Sequence, residues 1–417
     1  MFEFRSRRHD PAGRPQRAFR RTGAAVLIAL GFALGGCATT DRLPAVPLSL
    51  ASSAIPLEIP DARYYTDESD QARVSALATQ AFVRAKAAGL LTDARGKPRE
   101  RAFLAISGGG DDGAYGAGLL SGWSARGDRP EFAVVTGVST GALSAPFVFL
   151  GPEYDAQLKK IYTETSAGDV FQSRGFMAAV ADDAMADSTP LRNRITSFVD
   201  AHMVQRLAAE YERGRILLIL TTNLDQGRSV IWNVGAIAAS GHPRSRELIV
   251  DILLASAAVP GVFPPVMIPM TVDGKDYQEM HVDGGAIAQA FLYPASFSLK
   301  AKVKELGVKD FKPVAYIIRN GRLYRPEERV ERQTLKIAQQ AISTMTASSG
   351  VNDLFRMYLT TKRDGVKFKL AYIEDDFYLA YKGPFDKDYM NALFEHGYQV
   401  GINGVRWHTT PPGYQDE

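Results

Sequence analysis

Apolar runs alternate with amphipathic stretches along most of the chain. Short, almost wholly apolar segments are typical of strands buried on both faces of a sheet, whereas apolar positions three or four residues apart predict helices. Strands are therefore predicted at residues 102–106, 131–136, 215–224, 229–234, 313–319 and, at an edge, 366–374. Helices are predicted at residues 66–91, 114–125, 140–150, 327–346 and 385–400. The alternation indicates an α/β fold in which helices cover both faces of a mainly parallel central sheet.

The beginning of the chain has the organisation of an export signal. Seven arginines and two acidic residues precede the apolar run Gly23–Leu34. That run is too short to span a bilayer, so the order basic, apolar, small predicts a secretory signal peptide over residues 1–36. The segment ends in "LGGC" (Leu34–Cys37), which resembles a bacterial lipobox. The resemblance implies cleavage before Cys37, a lipid on its sulfur and anchoring in the bacterial cell envelope, and Ala38 favours the outer membrane.

The net charge argues against a nucleic-acid partner. The formal net charge of the 417 residues is +3, but residues 1–36 hold seven arginines against two acids, which leaves about −2 for the rest. The basic balance thus belongs to the predicted signal peptide, and the chain, 46% apolar and 23% charged overall, offers no argument for nucleic-acid binding. Cys37 is the only cysteine, so an intrachain disulfide is impossible. Two adjacent arginines, Arg20 and Arg21, leave twin-arginine export open as the route.

Composition divides the remaining chain into three parts. Residues 37–100 are predicted to hold a tether and an N-terminal helical segment, because residues 38–62 are rich in Pro, Ser and Ala and low in charge. Residues 101–320 carry the alternating strands and helices and are predicted to be the catalytic domain. Residues 321–417 are predicted to be a C-terminal extension packed on that domain.

The segment "VVTGVSTGAL", residues 134–143, has the G-x-S-x-G spacing of a nucleophile elbow. A predicted strand precedes Ser139 and a predicted helix follows it, which is the setting in which such a serine stands on a strained turn. Gly137 and Gly141 leave room for that turn, and the N-terminus of the helix favours developing negative charge. Ser139 is therefore a candidate nucleophile, with an ordinary turn serine as the alternative.

A glycine-rich loop, "SGGGDDG", also joins a predicted strand to a predicted helix. Glycines let backbone N–H groups approach a tetrahedral intermediate, so Gly108, Gly109 and Gly110 are candidate donors of an oxyanion hole. The same loop matches the dinucleotide fingerprint G-x-G-x-x-G. That alternative needs an acid at the end of the next strand, whereas Asp128, at about the right distance, stands in the loop before it.

A serine nucleophile needs a base, and two kinds are available. A Ser–acid–His order along the chain would use His396 or His281, although neither stands in an evident active-site loop. The other candidate is Asp283, which ends a short predicted strand and is followed by Gly284 and Gly285. A buried aspartate near few cations has a raised pKa and can accept the serine proton.

Taken in order, the glycine-rich loop, G-x-S-x-G and D-G-G resemble the patatin-like phospholipase family, as does "ASAAVPGVFPPV" at residues 255–266. Over residues 101–300 the resemblance implies a patatin-like three-layer sandwich and a dyad of Ser139 and Asp283 without histidine. It implies hydrolysis of lipid acyl esters with no metal and no cofactor. The residues that it assigns to the oxyanion hole are Gly108, Gly109 and Gly110, and the supporting glycines are Gly113, Gly137, Gly141, Gly284 and Gly285.

One departure from the family pattern concerns the charge of the glycine-rich loop. Members often carry Arg or Lys before its last glycine, where this chain has Asp112 beside Asp111. Two carboxylates there oppose the binding of negative charge unless they turn away from it. We expect a membrane-anchored serine acyl hydrolase acting as phospholipase, lysophospholipase or esterase. The alternative is a catalytically weak or inactive lipoprotein that serves as a lipid-binding or scaffold module.

Overall fold

A nine-stranded mixed sheet forms the centre of the protein in a computed structural model, which describes residues 42–170, 172–173, 184, 186–323 and 330–414. The predicted signal peptide and Cys37 lie outside the described residues. Leu43–Glu417 belong to one compact unit. The strands are β1 (Arg63–Tyr65), β2 (Glu100–Ile106), β3 (Phe132–Val138), β4 (Gln172–Ser173), β5 (Ala186–Asp187), β6 (Ile216–Asn223), β7 (Arg228–Asn233), β8 (Val266–Val272), β9 (Lys275–Asp283), β10 (Lys312–Arg319) and β11 (Lys367–Tyr372).

Five neighbouring strands of the sheet run parallel, in the order β6-β3-β2-β10-β11. Most residues of the inner strands β6, β3, β2 and β10 are apolar on both faces, as strands covered by helices on both sides require, and every residue of β6 is buried. The other strands pair antiparallel: β7 and β1 continue the sheet beyond β6, while β9 joins β6 and β8 joins β9. The mainly parallel sheet and the edge position of β11 confirm the predictions.

Helices cover both faces of the sheet, as alternate residues of β2 indicate. Leu104 and Ile106 pack into one core cluster with α2, α3 and α12, whereas Phe103 and Ala105 pack into another with α11. The helices are α1 (Gln71–Ala87), α2 (Gly113–Arg126), α3 (Thr140–Leu150), α4 (Asp155–Thr163), α5 (Ala167–Val170), α6 (Thr189–Phe198), α7 (Ala201–Glu212), α8 (Val234–Ala239), α9 (Ser245–Ser256), α10 (Leu299–Glu305), α11 (Thr334–Asp364) and α12 (Lys387–Asn403). None of these helices combines the length and the apolar character needed to cross a membrane.

The structure differs from the prediction of an extended tether at residues 38–62. From residue 43 onward this segment packs along β8 and β9: Gln278 N–H donates to the Pro44 carbonyl at 3.0 Å, and Ile55 forms a β-bridge with Thr271. Its scattered apolar residues, which the low charge and the prolines obscured, are drawn into the core. Those that are buried include Val46, Ala51, Ala54, Ile59 and Ala62.

Two parallel strands bring the candidate motifs to one edge of the sheet. Strands β2 and β3 are neighbours, with Ile106 paired with Gly137. The glycine-rich loop follows β2 and the elbow follows β3, so both leave the sheet at the same carboxyl edge. Ligand sites of open α/β sheets form at that edge.

Candidate active site

Ser139 stands at the turn between β3 and α3 in a conformation that few non-glycine residues adopt. Its φ and ψ are 54° and −125°, a strain that costs on the order of 1–3 kcal/mol. A Cβ on Gly137 would lie 2.6 Å from the Gly141 carbonyl oxygen, and one on Gly141 would overlap the Ile106 carbonyl oxygen. Both glycines are therefore required by space, and the turn has the geometry of a nucleophile elbow.

Strand β6 brings Asp283 to the elbow. Val138 pairs with Leu220 of β6, and Asp283 pairs with the next residue, Thr221. Because β3 runs parallel to β6 and β9 runs antiparallel, the two strands meet end to end on one edge of β6. Ser139 follows Val138 directly, so this junction sets the serine beside the aspartate.

A second serine, Ser256, connects the elbow to β6 where β3 and β9 meet. The Ser139 N–H donates to Ser256 Oγ at 3.0 Å, and the Ser256 hydroxyl donates to the Leu220 carbonyl at 2.7 Å. Ser256 thus joins the elbow, α9 and β6 through one buried side chain. The sequence marked its segment, residues 255–266, but not the residue.

The carboxyl group of Asp283 is buried and only partly hydrogen-bonded. Oδ1 accepts the Gly285 N–H at 2.7 Å, while Oδ2 has no short hydrogen bond with any described residue. Burial raises the pKa of Asp283 to about 6, although the Ser139 hydroxyl and the Gly285 amide each pull it down. Since nucleophile–base hydrogen bonds are often long in uncomplexed enzymes, Asp283 is well disposed to take the serine proton.

The glycine-rich loop lies against Ser139 on the side of β2. A Cβ on Gly108 would be 3.2 Å from the Ser139 Cβ. The Gly108 amide donates to the Gln289 carbonyl at 2.9 Å, so it is already used within the fold. Among the described residues, the amides of Gly109 and Gly110 donate no such bond, and both glycines are exposed. Of the three predicted oxyanion donors, two are therefore available to a substrate.

Asn320, directly after β10, clamps the start of this loop. Its backbone N–H donates to Ser107 Oγ at 2.8 Å and its side-chain amide to the Ser107 carbonyl at 2.9 Å. Its Oδ1 accepts the Gly116 N–H at 3.1 Å, which ties in the first turn of α2. A Cβ on Gly109 would overlap the Asn320 backbone oxygen. The only sequence signal for this role was a polar residue that ends a buried strand.

Gln289 joins the glycine-rich loop to the turn that follows Asp283. Its carbonyl accepts the Gly108 amide, and its side chain donates to the Gly285 carbonyl at 3.0 Å. The Gln289 N–H in turn donates to the Asp353 carboxylate of α11 at 2.6 Å. Sequence analysis singled out neither Gln289 nor Asp353, because the contacts join segments that carry no shared motif.

The acidic pair of the glycine-rich loop is bound by the C-terminal part of the chain. Asp111 Oδ2 accepts the Phe385 N–H at 2.7 Å and the Tyr381 hydroxyl at 2.9 Å. Asp112 Oδ1 accepts the Tyr389 hydroxyl at 2.8 Å. Burial raises the pKa of Asp111, and those two donors partly offset that rise. Both carboxylates are thus engaged in hydrogen bonds that belong to the fold.

The two candidate histidines have other partners. His281 is fully buried, with Nδ1 2.9 Å from Thr221 Oγ1 and Nε2 3.1 Å from Glu279 Oε2. Burial lowers the pKa of His281 more than Glu279 raises it. His396 stacks on Tyr115, and its Nε2 lies 3.6 Å from an Asp376 carboxylate oxygen. Neither forms a hydrogen bond with Ser139, so the geometry favours Asp283 as the base.

Other candidate sites lie apart from this one. Two surface clefts have volumes of about 590 and 380 Å³, and neither is lined by Ser139 or Asp283. Within the part of the chain that the structure describes, no group of His, Cys, Asp or Glu side chains is arranged to hold a metal ion. Asp128, which the dinucleotide alternative required, pairs with Arg126 at the surface.

The protein has an open α/β sheet with a strained serine and a buried aspartate at its carboxyl edge. This arrangement places it in the class of α/β proteins with a candidate nucleophile and base at that edge. Residues 104–295 match the sequence model of the patatin-like phospholipase family. This part of the chain is therefore a patatin-like phospholipase domain, and the predicted resemblance and three-layer fold are confirmed. At the level of the family, this match supports a lipid acyl hydrolase.

Two solved structures are similar to the chain at low identity. VipD from Legionella pneumophila is 12% identical, with 75% of this chain and 69% of that one covered and a TM-score of 0.37. Human GIVD cytosolic phospholipase A2, in complex with methyl gamma-linolenyl fluorophosphonate, is 10% identical, with 76% and 51% covered and a TM-score of 0.24. Comparison with curated proteins found no match. The family assignment rests on the sequence match.

Proposed function

We propose that this chain is a membrane-anchored serine acyl hydrolase that cleaves lipid acyl esters through a dyad of Ser139 and Asp283. The observation that carries the proposal is the end-to-end meeting of β3 and β9 on one edge of β6, which brings a strained serine beside a buried carboxyl group. The family match supports the substrate class, an acyl ester of a phospholipid, lysophospholipid or neutral lipid.

In the first half of the reaction, Ser139 Oγ attacks the acyl carbonyl carbon while its proton moves to Asp283. Oδ2 is the expected acceptor, because Oδ1 already accepts the Gly285 N–H. The tetrahedral intermediate then collapses, the ester C–O bond breaks, and the leaving alcohol takes the proton from Asp283. The product is an acyl ester of Ser139.

In the second half, a water molecule gives a proton to Asp283 and attacks the acyl ester. Collapse returns a proton to Ser139 Oγ and releases the carboxylic acid. A base with a pKa of about 6 is mostly ionised at neutral pH and is a stronger base than an ordinary aspartate. Burial of Asp283 therefore favours both proton transfers, and no histidine is required.

The negative charge of the intermediate is stabilised by backbone dipoles. The amides of Gly109 and Gly110 are the expected donors, and each such donor is worth about 3 kcal/mol in comparable sites. The N-terminus of α3 begins at Thr140 and adds its partial positive charge. Gly108 contributes space rather than a hydrogen bond, since its amide is bonded to Gln289.

Reaction with a fluorophosphonate and hydrolysis of a short acyl ester test the dyad. The full chain, purified in detergent, should do both, and Ser139→Ala should abolish both. Asp283→Asn should slow hydrolysis roughly 10²–10⁴-fold. The matched controls are Ser124→Ala, on the face of α2 that lines the larger cleft, and Asp310→Asn, at an exposed turn.

The results separate the proposal from its alternative. Full activity in Ser139→Ala or Asp283→Asn would rule out the dyad. A folded wild-type chain that binds lipid vesicles but neither reacts nor hydrolyses would instead be a lipid-binding or scaffold module. Mass spectrometry of a membrane lipid extract after incubation with the active chain would identify the head group and the acyl chain that are cleaved.

Anchoring through Cys37 would hold the site beside its substrate. The predicted lipoprotein signal over residues 1–36 supports the proposal of a lipidated Cys37 and a place in the bacterial cell envelope, at the outer membrane. Two or more acyl chains anchor stably, whereas one binds reversibly. Cys37→Ser should stop incorporation of labelled palmitate and shift the protein out of the membrane fraction. Unchanged labelling would contradict the lipoprotein assignment.

A further inference from the structure

The C-terminal segment from Phe377 to Tyr389, beyond the family match, lies over the acidic part of the glycine-rich loop. Asp111 is buried and accepts two hydrogen bonds from this segment, one from the Phe385 backbone and one from Tyr381. Asp112 accepts a third, from Tyr389 at the start of α12. The acidic pair therefore connects the loop to residues that lie 270 to 277 positions further along the chain.

The packing of Tyr381 and Tyr389 favours hydrogen-bond donation by their hydroxyl groups to the two carboxylates. The rings of Tyr381 and Tyr389 pack edge to face at 5.4 Å, and Phe377 packs against Tyr389 at 5.8 Å. Burial and the neighbouring carboxylates raise the pKa of both tyrosines, so both hydroxyl groups stay protonated. Arg322 donates to the Phe377 carbonyl and fixes the start of the segment.

Helix packing makes the segment a firm support. Helix α2 follows the glycine-rich loop, and α12 follows the C-terminal segment. A Cβ on Gly118 or Gly122 of α2, or on Gly397 or Gly401 of α12, would overlap a backbone oxygen of the other helix. The two backbones are therefore in direct contact, and the loop and the segment are held at a fixed separation.

The loop is thus anchored on both sides of the two available amides. On one side the Gly108 N–H donates to Gln289, and on the other the carboxylate of Asp111 binds the C-terminal segment. Between these anchors, Gly109 and Gly110 donate no hydrogen bond to a described residue. The direction of their N–H groups depends on the two anchors.

We propose that Asp111 and Asp112 are positioning residues, through which Tyr381, Phe385 and Tyr389 of the C-terminal segment hold the Gly109 and Gly110 amides in the geometry of an oxyanion hole. The inference rests on the proposed function and assigns a role to the acidic pair and to the C-terminal part of the chain. The carboxylates face the segment, so their charge is met by donors of the fold and not by the substrate.

Removal of single hydroxyl groups tests this inference in the full chain. Tyr381→Phe and Tyr389→Phe should each lower kcat for a short acyl ester roughly 5–10-fold, and together roughly 100-fold, because a misplacement near 1 Å costs about that much. KM should change less than about twofold, and the melting temperature should stay within about 4 °C. Tyr378→Phe is the matched control, since that ring is 88% exposed and its hydroxyl bonds no described residue.

Two further measurements distinguish positioning from a structural role. Affinity for a trifluoromethyl ketone, whose adduct with a serine carries an oxyanion, should fall in proportion to kcat. Deuterium exchange of a peptide that contains Gly109 and Gly110 should speed up roughly tenfold in the double variant and in Asp111→Asn, but not in Tyr378→Phe. Asp111→Asn keeps one acceptor and nearly the same shape, so it should retain the fold.

Each outcome bears on one proposal. Wild-type kcat, ketone affinity and exchange in the tyrosine variants would overturn the positioning role while the dyad stands. If the wild-type chain itself shows no hydrolysis and no reaction with fluorophosphonate, the proposed function fails. In that case deuterium exchange in the variants still decides whether the acidic pair orders the loop. Exchange as slow as in the wild type would refute that ordering.

Discussion

The two sides of the candidate site are held by different kinds of contact. Ser139 and Asp283 are set beside each other by backbone pairing on β6, whereas Gly109 and Gly110 are oriented by Asn320, which follows β10, and by the C-terminal segment. Backbone pairing tolerates many side chains, but each anchor of the loop depends on one or two polar atoms. Substitutions that crowd the backbone or change a charge should therefore have the largest effect beside Ser139 and Asp283. Around Gly109 and Gly110, the loss of a single hydrogen bond should be enough to lower activity.

Crowding of the backbone should have the largest effect. A Cβ on Gly141 would overlap the carbonyl oxygen of Ile106, whose strand β2 is held in place by its pairing with β3. Gly141→Ala should cost at least about 3 kcal/mol and abolish hydrolysis. Urea unfolding measures the cost. Gly168→Ala is the control, since a Cβ there meets nothing within 4 Å; equal stability of the two variants would contradict the close approach.

Neutralising Asp283 should separate stability from activity. Burial raises its pKa from 3.8 to about 6, so the folded protein binds this proton more tightly than the unfolded chain does. The group therefore supports folding below pH 3.8 and loses that contribution as the pH rises through about 6. Asp283→Asn should stabilise the protein by roughly 2–3 kcal/mol at pH 8 and hardly at pH 4, while hydrolysis slows roughly 10²–10⁴-fold. A destabilised variant at pH 8 would argue against a costly buried charge.

The acid limb of the wild-type rate profile should report the same group. If ionised Asp283 is the base, kcat/KM should be constant above about pH 7 and fall tenfold per unit below a pKa near 6. Initial rates with an uncharged ester, from pH 4 to 8, measure the limb. A limb that instead follows an ordinary carboxyl group near 3.8 would show that Asp283 is not buried from solvent as described.

Loss of the Asn320 side chain should loosen the loop side. Asn320→Ala leaves the Ser107 carbonyl and the Gly116 N–H without their side-chain partners. The expected cost is about 2 kcal/mol, with kcat reduced roughly tenfold. The control is Asn391→Ala on the exposed face of α12, which should change the free energy of unfolding by less than about 0.5 kcal/mol. Equal effects of the two substitutions would mean that Asn320 does not clamp the loop.

The smallest effect is expected at His396, which belongs to neither side. His396→Gln should keep ester hydrolysis within about twofold of the wild type, because the ring contacts Tyr115, Phe377 and Asp376 and does not bond Ser139. Steady-state rates at pH 7 and 8 measure this. A large loss in a variant that remains folded would restore a catalytic triad with histidine.

The sequence predicted the segments that carry periodic or motif signals. Wholly apolar runs identified the parallel strands, and the elbow stood between a strand and a helix as predicted. The antiparallel strand β8 and the helices α4 and α6 were not predicted, because their apolar positions are mixed with polar ones. Helix α11 runs to Asp364, well past the predicted end at residue 346, since the apolar contacts of its second half come from β10 and β11.

The supports of the site were hidden from sequence for a physical reason. Asn320, Gln289, Tyr381 and Tyr389 act through hydrogen bonds to segments far away along the chain, and a single polar residue has no period. The adjacent acids Asp111 and Asp112 looked unfavourable for binding negative charge, because the sequence shows their charge but not their hydrogen-bond partners. Their hydrogen-bond partners lie more than two hundred residues away along the chain, and the packing of α12 on α2 brings them to the loop.

By itself the sequence determined the local chemistry: a strained turn that needs small neighbours, amides freed by glycines, and an aspartate that ends a strand. These follow from steric limits that act over a few residues. The tertiary structure alone decided that β3 and β9 meet on β6, that the Gly108 amide is used within the fold, and that the acids face tyrosines. Such facts depend on strand register and on helix packing, which no short stretch of sequence encodes.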